Sequence, residues 1–99
     1  MRLLSVEKAG SELIIWYADD VNYIKALVYD DNRIEIDVTV AIAKYPAGKY
    51  CGEYLTSYEY FATVMGKFNP YTVFWIEPIE VDSLDYNKLL AIHLNLERG

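Results

Sequence analysis

His93 is the only histidine in the chain and Cys51 the only cysteine. An imidazole can act as a general base, and a thiolate as a nucleophile or a metal ligand. No serine or cysteine stands at a recognisable catalytic spacing from His93. One histidine and one cysteine cannot build a structural zinc site within a single chain. A lone cysteine also excludes an intramolecular disulfide, which fits a reducing compartment. Free cysteines usually pack as small hydrophobes, so Cys51 is expected to be buried.

The carboxylates offer little more. Glu35 and Asp37 are two residues apart on an extended run, which places both on one strand face. Two such acids could polarise a hydrolytic site, but no partner acid or pocket-forming motif lies beside them. Asp19-Asp20 and Asp30-Asp31-Asn32 read as turns. Neither has the spacing of a calcium loop. Ala47-Gly48-Lys49-Tyr50-Cys51-Gly52 resembles a nucleotide loop only superficially, because the Walker spacing and its Ser or Thr are missing. No catalytic residue, cofactor or metal ligand is therefore assigned.

The ten tyrosines are the unusual feature. Tyr joins a large flat apolar body to one hydroxyl that needs a partner. Such residues suit a core margin or a protein interface. Trp16, Tyr17, Tyr23, Tyr29, Tyr54, Tyr58 and Tyr60 are the candidate interface residues. Tyrosines can also stack nucleobases, but stacking platforms sit beside positive charge. Here 15 acidic residues face 9 basic ones, for a net charge of −6, and no run of Lys or Arg exists. That balance disfavours nucleic acid and anionic membranes as partners.

At 99 residues and 54% apolar composition, the chain has the size and hydrophobicity of one folded domain, residues 1–99. No apolar run reaches membrane-spanning length. Met1 to Ser5 begins like a signal peptide, but Glu7 and Lys8 interrupt it. The longest regular pattern is 33–43, with branched apolar residues at 34, 36, 38, 40 and 42. Period two predicts a strand with one wholly apolar face. Leu3, Leu4 and Val6 open with a short strand, and 12–17 and 21–29 are two more. Strand 21–29 is apolar on both faces and is expected to be central. Residues 12–43 then form an antiparallel meander, with its two acidic turns at opposite ends.

The periodicity changes after Pro46 and Gly48. Apolar residues at 54, 55, 58, 61, 62, 65 and 68 follow spacings of three and four, which predicts a helix over about 54–67. Thr56 and Glu59 have capping-box spacing, and a start near Gly52, with Glu53 complementing the N-terminal dipole, is equally open. Residues 71–76 read as a strand, and so do 89–96, against a rival helix from Asp85 to about Ile92. The expected fold is α+β: an antiparallel β-sheet of four to five strands with a single helix packed on one face. Ile36, Val38, Val40, Phe61 and Met65 should meet in its core.

The run Glu12 to Asp20, then Ile34 to Val38, then the Tyr-rich helix, resembles a small protein of filamentous viruses that infect acidophilic, hyperthermophilic archaea. The resemblance covers essentially the full length. It contains no catalytic motif, so it transfers no functional residue. It implies a place in the host cytoplasm or in association with the virion, with resistance to heat and acid. The expected function is non-enzymatic protein–protein contact as a homodimer, with another protein of the virus or its host as a further partner. A nucleic-acid-binding accessory protein is the second reading, and a small acidic hydrolase the third.

Overall fold

The computed structural model describes residues 1–68 and 75–97. Strands β1 (Arg2–Ala9), β2 (Glu12–Ala18), β3 (Asn22–Val28) and β4 (Ile34–Ala41) run as a continuous meander. A 3₁₀ turn, Ile42–Lys44, leaves the sheet. Two short strands, β5 (Gly48–Tyr50) and β6 (Glu53–Leu55), form a separate hairpin before helix α1 (Ser57–Phe68). Strand β7 (Trp75–Glu80) and helix α2 (Tyr86–Glu97) follow. The main sheet has the order β4-β3-β2-β1-β7, with the pairings of β1, β2, β3, β4 and β7 all antiparallel. The α+β architecture is as expected. Most of the strand expected over 71–76 lies outside the described residues, and its described end opens β7.

Each turn follows from its residues. Gly10 carries a positive φ of 64° between β1 and β2, a conformation that glycine adopts without steric cost. Asp19 Oδ1 accepts the Val21 and Asn22 N–H groups at 2.8 and 2.7 Å and closes the next turn. Asn32 takes a left-handed φ of 67°, which its short polar side chain tolerates. Its Oδ1 also accepts the Tyr86 N–H at 2.8 Å and ties the start of α2 to the β3–β4 turn.

Alternation along β2 feeds two cores on opposite faces. Leu13, Ile15 and Tyr17 join Leu3, Val6, Ala26 and Val28 of the sheet and Tyr86 and Leu89 of α2. Trp16 and Ala18 join Leu4 and Tyr23 of the sheet and Phe61 of α1. Phe61 is the centre of the second core, stacked on Tyr23 at 4.0 Å and edge-on to Trp16 at 5.2 Å. The capping box at α1 is formed: Thr56 Oγ1 accepts the Glu59 N–H, and Glu59 Oε2 accepts the Thr56 N–H.

Two expectations are corrected. Residues 89–96 belong to helix α2, not to a strand, so the sheet is covered on both faces rather than one. Leu90, Ile92, Leu94 and Leu96 satisfy period two, but the buried residues Tyr86, Leu89 and His93 fall at helical spacings of three and four. Asp85 starts this helix by accepting the Lys88 N–H through Oδ2 at 3.1 Å.

The second correction concerns the strand expected to organise the core. Ile34, Ile36 and Val38 are 43, 53 and 39% exposed, so Ile36 and Val38 do not join Phe61. The reason is coverage. A helix is about 10 Å wide and spans roughly two strands at 4.8 Å spacing. Helix α2 sits on β1 and β2. β4 lies at the sheet edge, beyond it.

Candidate interaction surface

Among the described residues β4 pairs with β3 alone, so its outer edge presents backbone N–H and C=O groups. Its side chains are divided by a bulge. Ile34 and Ile36 oppose Val28 and Ala26, whereas Val38 and Val40 oppose Lys25 and Tyr23, and the register shifts between the two sets. Asp37 is the additional residue. Ala26 and Val28 belong to the α2 core and Tyr23 to the α1 core. The run of branched residues therefore does not form one face. Ile34 and Ile36 emerge on the α2 side, Val38 and Val40 on the α1 side.

The polar neighbours are ordered. The Tyr29 hydroxyl donates to Glu35 Oε2 at 2.9 Å, and the Arg33 guanidinium lies 4.2 Å from the centre of the Tyr29 ring. The hydrogen bond to Glu35 is the main cause that raises the Tyr29 phenol above its ordinary pKa. Lys25 Nζ meets Asp37 Oδ2 at 3.4 Å. Two of the cations near the sheet thus already have acidic or aromatic neighbours on this edge.

The candidate interface residues do not converge. Trp16, Tyr17 and Tyr23 are buried in the two cores. The Tyr23 hydroxyl is paired with Ser57 Oγ at 2.8 Å. Tyr58 is half-buried and its hydroxyl donates to the Ile76 carbonyl; burial is the main cause that raises its phenol pKa. Tyr60 packs edge-on against Tyr50 of the hairpin, at 5.1 Å. Tyr54 is 74% exposed on that hairpin. Tyr29 alone belongs to the β4 edge cluster. The apolar residues that the edge exposes were expected in the core, because period two reports a shared face and not whether anything covers it.

His93 is buried on α2, and its Nε2 is 3.1 Å from Glu97 Oε1. It lines an open groove of about 760 Å³ with Val6, Lys8, Leu90 and Leu94. Ser57, Ser83 and Cys51 are not among the described lining residues. Among the described lining residues the groove has an imidazole–carboxylate pair and no hydroxyl or thiol side chain. Cys51 is exposed rather than buried. It occupies the β5–β6 turn with φ 51°, followed by Gly52 at 87°. Consecutive positive φ values of this kind make a tight hairpin turn, which leaves no room to bury the side chain. Among the described residues no group of three or more His, Cys, Asp or Glu is placed to hold a metal ion. No helix among them is long and apolar enough to cross a membrane.

No family model, curated protein or solved structure matches the chain.

Proposed function

We propose that this is a small non-enzymatic protein that acts by protein–protein contact along the outer edge of β4. The observation that carries this reading is the exposure of Ile34, Ile36 and Val38 at 43, 53 and 39% on an unpaired edge strand. Natural sheets usually protect such edges with charge, proline or a covering element. Apolar side chains exposed on both faces of an edge strand, Ile34 and Ile36 on one and Val38 on the other, offer hydrophobic area beside a hydrogen-bonding template for an extended partner. The net charge of −6 favours protein over nucleic acid as that partner. The resemblance to a viral protein supports a role in the host cytoplasm or around the particle, with another viral or host protein as a further partner.

Two measurements test this. DNA and RNA titrated at low and moderate salt should give no binding shift. A photo-crosslinking amino acid at position 36 should give protein adducts in producing cells, whereas one at exposed Thr63 on α1 should not. Equal crosslinking from both positions, or salt-sensitive DNA binding that requires Lys25 or Arg33, would move the assignment to the nucleic-acid reading.

A further inference from the structure

Three features of β4 identify one occupant for its edge. The first is its limited usable length. The bulge at Asp37 interrupts regular pairing, so a partner strand must fit on one side of it. C-terminal to the bulge, Val40, Ala41 and Ile42 are already partly covered. N-terminal to it, Ile34 and Ile36 are the exposed pair.

The second is backbone direction. Arg33 gives its carbonyl to the Tyr29 N–H at 2.9 Å, which turns the Arg33 backbone inward toward β3. Alternation along an edge strand then turns the N–H and C=O of Ile34 outward. The third is charge. Arg33 and Glu35 flank Ile34 with opposite signs on the face away from the Ile34 side chain.

We propose that a second copy of this chain covers the edge: the two β4 strands pair antiparallel about a two-fold axis at Ile34, joining two sheets into one. This rests on the reading of β4 as the contact edge and names its partner. In that register Ile34 meets Ile34 of the other copy, with Ile36 of each flanking. Arg33 of each copy lies opposite Glu35 of the other. Opposite charges in directly facing positions stabilise a sheet pair, and like charges destabilise it. The neighbouring registers fail on this ground. An axis at Glu35 opposes Glu35 with itself. An axis at Ile36 opposes Glu35 with Asp37 twice.

The other sheet edge explains why the assembly closes at two. β7 carries Pro78, which has no N–H to donate, between exposed Glu77 and Glu80. A head-to-tail contact of β4 on β7 would build an open filament, and these residues oppose it. The β4 edge is self-complementary and needs only its own copy.

Sedimentation equilibrium over a wide concentration range tests the proposal with four proteins. The wild type should show a monomer–dimer equilibrium without larger species. Arg33→Glu and Glu35→Arg should each weaken the dimer by roughly tenfold or more, because each turns two attractive contacts repulsive. The double variant R33E/E35R should recover to within about threefold of wild type, since it restores both pairs with signs exchanged. Circular dichroism on every variant checks that the fold is kept. Failure of the double variant to recover overturns the register. A dimer indifferent to both single changes overturns the edge contact between copies. A wild type that stays monomeric to millimolar concentration overturns the dimer. In that last case crosslinking from position 36 still decides whether β4 meets a different protein.

Discussion

Asp19 shows how one exposed side chain can set a turn. Its carboxylate accepts two backbone N–H groups, from Val21 and Asn22. The hydrogen bond from Val21 is the largest cause that lowers its pKa, followed by that from Asn22, with Arg2 nearby. A carboxylate with a depressed folded pKa stabilises the fold fully above its unfolded value, about 3.9. That contribution declines as pH falls through 3.9 and is gone below the folded value, so Asp19 acts against acid stability. Asp19→Asn should melt below wild type at pH 7, and the gap should close on acidification to about pH 2. Thermal melts from pH 7 to pH 2 check this; a pH-independent gap would assign the effect to shape rather than ionisation. The residue was legible as a turn former. Its two acceptor contacts reach only two and three residues on and are local, whereas the bond from Tyr86 to Asn32 spans 54 positions and depends on where the chain returns.

Elements were legible where local chemistry decides them, and misread where only neighbours do. The α1 capping box is local: the spacing of Thr56 and Glu59 offers it, and the structure selects it over a start near Gly52, with Tyr54 and Leu55 in β6 rather than in the helix. The hairpin of β5 and β6 is not legible in the sequence, because three residues per strand give too few repeats to establish a period. β4 was read correctly as a strand and wrongly as a core element. If Ile36 were central, Ile36→Asp would leave a charge in the core and unfold the domain. With Ile36 53% exposed on the edge, the same change should cost less than about 1 kcal/mol, in the range of surface substitutions. Chemical denaturation of dilute protein, below any self-association, measures this. A loss of several kcal/mol would return β4 to the core.

On the scale of the whole molecule, one sheet is shared between two cores. Both tryptophans, Trp16 and Trp75, pack on the α1 side. Leu89 of α2 is wholly buried on the opposite side, against the sheet. Leu89→Ala should destabilise by about 2–5 kcal/mol, the range for a buried leucine. Because β1, β2 and β3 contribute to both cores, the loss should appear equally in tryptophan fluorescence and far-UV circular dichroism. Coincident midpoints indicate one cooperative unit. A fluorescence midpoint unmoved by Leu89→Ala would show that the α1 side holds together without α2.

The sequence by itself determined the α+β class, the antiparallel meander of β2, β3 and β4, and the helix that carries Phe61, and offered its cap. These follow from period two, period three to four, and residues that bond to their own backbone, all of which act over a few positions. Tertiary structure decided which strand lies at the edge, that 86–97 is a helix, and that a second core faces the first. It also decided that Ile34, Ile36 and Val38 are exposed while Trp16, Tyr17 and Tyr23 are buried. The physical reason is that a strand's pattern specifies which side chains share a face. Whether a face is covered depends on strand order, on a one-residue bulge at Asp37, and on where two helices of limited width come to rest.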